Sequence, residues 1–130
     1  MTLKLNDEAN GNWWLEIGEN DTQIGFWPQR IFSGGLNDLA TYLDWGGEAY
    51  SPPNESGLPQ MGSGFILSGS VYEDSFCEQI TTINEAHDPV DAGDTEVIGN
   101  ENVTLPYGVR DYPDTGGDLR HLVSFGGPGS

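Results

Sequence analysis

The chain has 130 residues, the length of about one domain, with 4 basic against 21 acidic side chains and a formal net charge of -17. So acidic a surface repels phosphate backbones and anionic lipid headgroups, which excludes sequence-independent binding of nucleic acid and disfavours a membrane-surface role. There is no run of about 18 apolar residues, and the N-terminus, MTLKLNDEANGNWW, carries no cleavable hydrophobic segment, so the sequence reads as soluble and without a signal peptide.

High net charge and modest hydrophobicity are also the signature of disorder. Against that stand 4 Trp, 5 Tyr and 5 Phe, several of them in alternating apolar patterns, so a small core is expected. With 19 Gly and 8 Pro between short apolar runs, the pattern points to a β-rich, loop-heavy fold.

In chain order, 2–6 (TLKLN) and 12–18 (NWWLEIG) flank Asn10-Gly11, a strong hairpin signal because the turn needs positive φ. A turn over Glu19 to Asp21 returns the chain through 22–27 (TQIGFW), giving a three-stranded antiparallel meander. Pro28, with QRIF (29–32) and LNDLATYL (36–43) at near-helical spacing, predicts a short helical crossover broken at Ser33-Gly34-Gly35. Leu43, Trp45 and Tyr50 then suggest a strand interrupted by Gly46-Gly47, and 51–60 (SPPNESGLPQ) reads as a Pro-rich loop. After Met61-Gly62-Ser63-Gly64-Phe65-Ile66-Leu67, further strands are expected from Phe76 to Ile83, from Val103 to Leu105 and from Leu119 to Phe125, with an irregular acidic stretch over 84–101.

The densest chemistry lies at Trp45-Gly46-Gly47-Glu48. Two residues without side chains let a substrate backbone approach the carboxylate, and the neighbouring indole supplies an apolar wall that can tune it as an acid or base. The same residues also fit a bulged strand with Glu48 in solvent. Trp14, Trp27 and Trp45 are candidates for lining a groove for an extended, proline-containing peptide, with Gly46 and Gly47 completing the substrate-binding set. Adjacent residues on a strand face opposite ways, so at most one of Trp13 and Trp14 reaches such a groove.

Other signals are weaker. Asp88, Asp91, Asp94 and Glu96 cluster without EF-hand spacing and read as a solvated loop. His87 and His121 lack zinc-ligand spacing, so no metal is assigned. Ser63 in Gly62-Ser63-Gly64 lacks the full nucleophile-turn frame, because Met61 and Phe65 flank it. No cofactor is expected. Cys77 is the single cysteine, which excludes an intrachain disulfide, and it reads as a small buried hydrophobe. Acceptor triplets at Asn20, Asn54 and Asn102 hint at a secretory route.

GNWWL (11–15), GFWPQRIF (25–32), WGGE (45–48) and MGSG (61–64), in this order and spacing, together with the closing Phe125-Gly126-Gly127-Pro128-Gly129, closely resemble the C-terminal half of the neprosin family of secreted glutamic endopeptidases. The resemblance is clear over most of residues 2–67 and weaker beyond. It implies an all-β, antiparallel β-sandwich-type domain, incomplete over 1–130. It also implies secretion, and proteolysis at acid pH, possibly at proline, by two glutamates.

WGGE places one of those two at Glu48, and the resemblance puts the other upstream of Met1. Glu16, Asp44 and Glu73 lie in the same region of sequence, but no motif assigns any of them as its partner. The implied partner is a peptide or protein substrate, with no nucleic acid and no membrane. The alternative is a non-catalytic remnant that binds peptide or glycan. In that picture an uncovered sheet face favours self-association.

Overall fold

The computed structural model describes residues 2–7, 10–17, 22–38, 40–86, 88–99 and 106–130. The described chain is all-β, built of antiparallel sheets with short 3-10 turns and no α-helix, as a sandwich-type β domain requires. It divides into two compact units, Met1–Asp44 and Trp45–Ser130.

The first unit is a meander of β1 (Thr2–Asp7), β2 (Asn12–Ile17) and β3 (Thr22–Trp27), in the order β1-β2-β3. Asn10-Gly11 forms the expected turn, with Gly11 at φ 66° and the Asn10 carboxamide accepting a hydrogen bond from the Asn12 amide at 3.1 Å. Trp13 is buried, its indole N–H donating to the Leu36 carbonyl at 2.7 Å and its ring meeting Phe32 edge-on at 6.4 Å. The helical crossover takes the form of two single 3-10 turns, Gln29–Ile31 and Gly35–Asn37. Gly34 at φ 95° separates them, and a continuous helix cannot pass through that conformation. The turn expected over Glu19 to Asp21 lies outside the described residues.

The second unit is organised by its last strand, β9 (Leu122–Gly127). On one edge β9 pairs with β4 (Met61–Gly62) and β5 (Ser75–Glu78), which lie end to end along it. On the other edge it pairs with β8 (Gly108–Tyr112). Five of its six residues are buried, as befits a central strand covered on both faces. Close backbone approach decides the composition of its end: a Cβ at Gly127 would collide with the Pro106 carbonyl oxygen. Ile80, Ala92 and Val123 form the core cluster, with Trp45, Cys77 and Val109 packed against it.

Several sequence expectations are corrected here. No strand forms between residues 40 and 60. The run from Phe76 to Ile83 is split, because Gln79 takes φ 52° and turns Ile80 into the core before β6 (Thr81–Ile83) begins. The acidic stretch is not wholly irregular, since β6 pairs with β7 (Pro89–Asp91). Asn84 closes that hairpin by accepting from the Ala86 and Asp88 amides, each at 2.9 Å. The strand expected over Val103 to Leu105, and His87, lie outside the described residues.

Two polar anchors fix the second unit. The buried Asp74 carboxylate accepts from the Ser68 amide at 2.9 Å and the Gly69 amide at 2.8 Å, which sets the turn leading into β5. His121, 1% exposed, donates from Nδ1 to the Ala92 carbonyl at 2.8 Å, while its Nε2 lies 2.7 Å from Asp111 Oδ1. The other Asp111 oxygen accepts from the Thr95 hydroxyl at 2.6 Å. One imidazole thus ties β8 and β9 to the segment after β7, and a buried polar group of this kind is costly to leave unpaired.

Asp111→Ala should therefore lower stability by about 1–3 kcal/mol, more than Thr95→Val, which removes a hydroxyl and leaves the imidazole paired. Urea unfolding of the two variants checks this, and equal small losses would contradict it. Burial raises the Cys77 thiol above its ordinary value, opposed by a hydrogen bond from the Gly46 backbone. The folded state holds that proton more firmly than the unfolded chain, so the associated stability is present at neutral pH and is lost as pH rises through the raised value. Iodoacetamide should accordingly modify Cys77 more slowly in the folded protein than in urea at pH 8; equal rates would contradict the burial.

Candidate functional site

The Trp45–Glu48 turn opens the second unit, and each of its residues is placed by a different contact. Trp45 is half-buried against the Ile80, Ala92 and Val123 cluster. The Gly46 backbone hydrogen-bonds the Cys77 thiol. Gly46 adopts φ 155°, a conformation that favours glycine, and the space where its side chain would stand is open. Gly47 has the opposite environment: a Cβ there would lie 2.6 Å from Phe125 Cδ2 and 2.9 Å from both Cγ and Sδ of Met61.

Glu48 emerges from this anchored turn exposed, with no hydrogen bond or ion pair to any described residue. The arrangement is a carboxylate in solvent, next to an open backbone at Gly46 and carried on a turn whose other face is packed. Such a group can take or give a proton to a ligand that reaches over Gly46.

The chain leaving the turn is held in place. Ser51 donates to the Gly57 carbonyl at 3.0 Å, and Tyr107 donates its phenolic proton to the Pro59 carbonyl at 2.6 Å. Leu58 and Ser130 exchange backbone hydrogen bonds at 2.9 and 3.1 Å, so the last residue straps the Pro-rich loop.

Trp14 and Trp27 belong to the first unit, whereas Trp45, Gly46, Gly47 and Glu48 belong to the second. Trp14 is half-buried and stacks at a tilt on Phe26, ring centroids 4.8 Å apart. Trp27 sits opposite the buried Trp13 in register and is 43% exposed. Ile24, Phe26 and Trp27 together make β3 an exposed apolar strand. The opposite-face expectation for Trp13 and Trp14 is met: one indole is interior and the other lies on the Phe26 face.

The acidic loop holds Asp91 in an ion pair with Arg120. Among the described residues no group of three or more His, Cys, Asp or Glu side chains is placed to hold a metal ion. Sequence reasoning missed Met61 and Phe125 as neighbours of Gly47. The MGSG and FGGPG motifs were visible, but only strand pairing brings their ends onto the WGGE turn. It also missed the His121–Asp111 pair, because β8 gave no strand signal.

Among the described residues no helix is long and apolar enough to cross a membrane. No curated protein and no solved structure matches the chain. A family model described as Neprosin matches residues 1–128. Because that match spans nearly the whole sequence and includes the WGGE turn, the chain belongs to the Neprosin family, and with it to a peptidase-related role.

Proposed function

We propose that this chain acts in acid-active hydrolysis of peptide bonds, at or near proline, in an extracellular setting, with Glu48 as one of two catalytic carboxylates. The observation that carries the reading is the anchored WGGE turn in a member of this family, which holds Glu48 in solvent beside an open backbone. In such a reaction one carboxylate, ionised, takes a proton from water as its oxygen attacks the peptide carbonyl. The other, protonated, stabilises the developing oxyanion and then protonates the departing amine as the carbon–nitrogen bond breaks. Neighbouring carboxylates divide their proton affinities, so one acid and one base coexist at low pH. Glu48 fills one of these roles and a second carboxylate the other.

Trp45, with Gly46 and Gly47, would border the substrate on the second unit. Trp14 and Trp27, which lie on opposite faces of the meander, would each offer an aromatic face suited to pyrrolidine rings, only one of them to any one groove. A second reading, peptide binding without turnover, is favoured by one observation: β3 leaves apolar side chains exposed on both of its faces, Phe26 on one and Trp27 on the other, on a strand suited to an extended chain. That same strand is where self-association of the protein would take place.

The test is cleavage of a proline-containing reporter peptide between pH 3 and pH 7 by the wild type and by Glu48→Gln, with near-UV circular dichroism to show that both are folded. Cleavage should rise toward acid pH in the wild type and fall by at least about a hundredfold in the variant, the span ordinarily supplied by a positioned acid or base. A folded Glu48→Gln variant that cleaves normally would remove Glu48 from the mechanism. Two folded proteins that bind the peptide without cleaving it would favour the second reading.

A further inference from the structure

Gly47 is the one residue of the WGGE turn whose missing side chain is replaced by atoms from elsewhere in the chain. Its Cβ position is filled by the ring edge of Phe125 from β9, at 2.6 Å, and by Cγ and Sδ of Met61 from β4, both at 2.9 Å. Real Cβ atoms do not tolerate such separations, so a larger residue must displace either the turn or the Met61 and Phe125 side chains beneath it. The two contacting residues are themselves fixed. Met61 pairs with Gly127 and Gly62 with Gly126 across β4 and β9, and Phe125 pairs with Ser75 of β5 and Val109 of β8. The platform is thus a three-way junction of strands, and the turn rests on it one residue before Glu48.

We propose that Met61 and Phe125 are positioning residues for Glu48: they form the floor against which the Gly47 backbone is pressed, and so set the direction in which the carboxylate leaves the turn. The inference rests on the proposed role of Glu48 and adds the residues that orient it. It also gives one physical reason for three sequence motifs. WGGE supplies the residue that must be small, MGSG begins with the thioether that fills its place, and FGGPG begins with the ring that does the same. The glycines after Met61 and Phe125 let β4 and β9 approach closely enough to bring both side chains to one point. A misplacement of about 1 Å in a catalytic group can cost on the order of a hundredfold in rate, so a floor of this kind matters to chemistry without touching substrate.

The test is compensation, read by kinetics and by the backbone amide resonance of Glu48 in nitrogen-15 NMR spectra of the full chain. Gly47→Ala should lower kcat on the reporter peptide by about tenfold or more, leave KM within about twofold, and displace the Glu48 amide resonance. Adding Met61→Ala, which removes Cγ and Sδ, or Phe125→Ala, which removes the ring, should recover much of the kcat and return the resonance toward its original position. The proposal is overturned if Gly47→Ala changes neither readout, or if neither second substitution compensates. Failure of the catalytic role of Glu48 is a separate result: Glu48→Gln would retain cleavage, or the wild type would show none, while the amide resonance still reports the floor.

Discussion

The second unit depends on a constraint at β9: the final strand of the chain is also the central strand of its sheet. It must therefore be apolar on both faces, be approached closely on both edges, and be reached by elements that precede it by up to 66 residues in sequence, from Met61 to Gly127. Leu122 and Val123 meet the first demand and Gly126-Gly127 the second. Phe125 lies between them, and its ring is the point at which the architecture of the sheet becomes the geometry of the WGGE turn. The site thus depends on how β9 is paired on its two edges.

Charge imposes a second constraint. With 4 basic and 21 acidic side chains, the protein has few cations with which to neutralise buried carboxylates. In the second unit Arg120 pairs with Asp91 at the surface, and the buried His121 imidazole lies against Asp111. Where no cation is at hand, backbone amides serve instead, as at Asp74, because hydrogen bonds to a carboxylate are strong when oriented. Glu48 receives neither treatment and stays in solvent, as do Glu55, Glu73 and Glu96. An acidic working environment suits such a surface, since mutual repulsion falls as carboxylates protonate.

The meander was legible from sequence because each of its strands alternates locally and Asn10-Gly11 is a turn with a physical mechanism. The WGGE turn was legible as a motif. Its conformation was not, because Trp45 and Tyr50 suggested a strand, whereas Trp45 spends its apolar surface on a core assembled from Ile80, Ala92 and Val123. The break at Gln79 was hidden for a related reason: 76–83 (FCEQITTI) holds no Gly or Pro to mark a turn, and only the demand for Ile80 in the core turns the chain. β8 was missed because Gly108-Val109-Arg110-Asp111-Tyr112 has little apolar pattern of its own. Its place is determined by pairing with β9 and by the Asp111 bond to His121, both of them long-range effects that no local window contains.

The proposed role of Glu48 is positional: an anchored turn would deliver its carboxylate to one place. The most direct measurement is the cleavage rate of Glu48→Asp against wild type on the reporter peptide at acid pH, with both proteins shown to be folded. This substitution keeps the charge and the chemistry while withdrawing the carboxylate by one methylene. The account predicts a loss on the order of a hundredfold in kcat; an aspartate variant as fast as the wild type would contradict it.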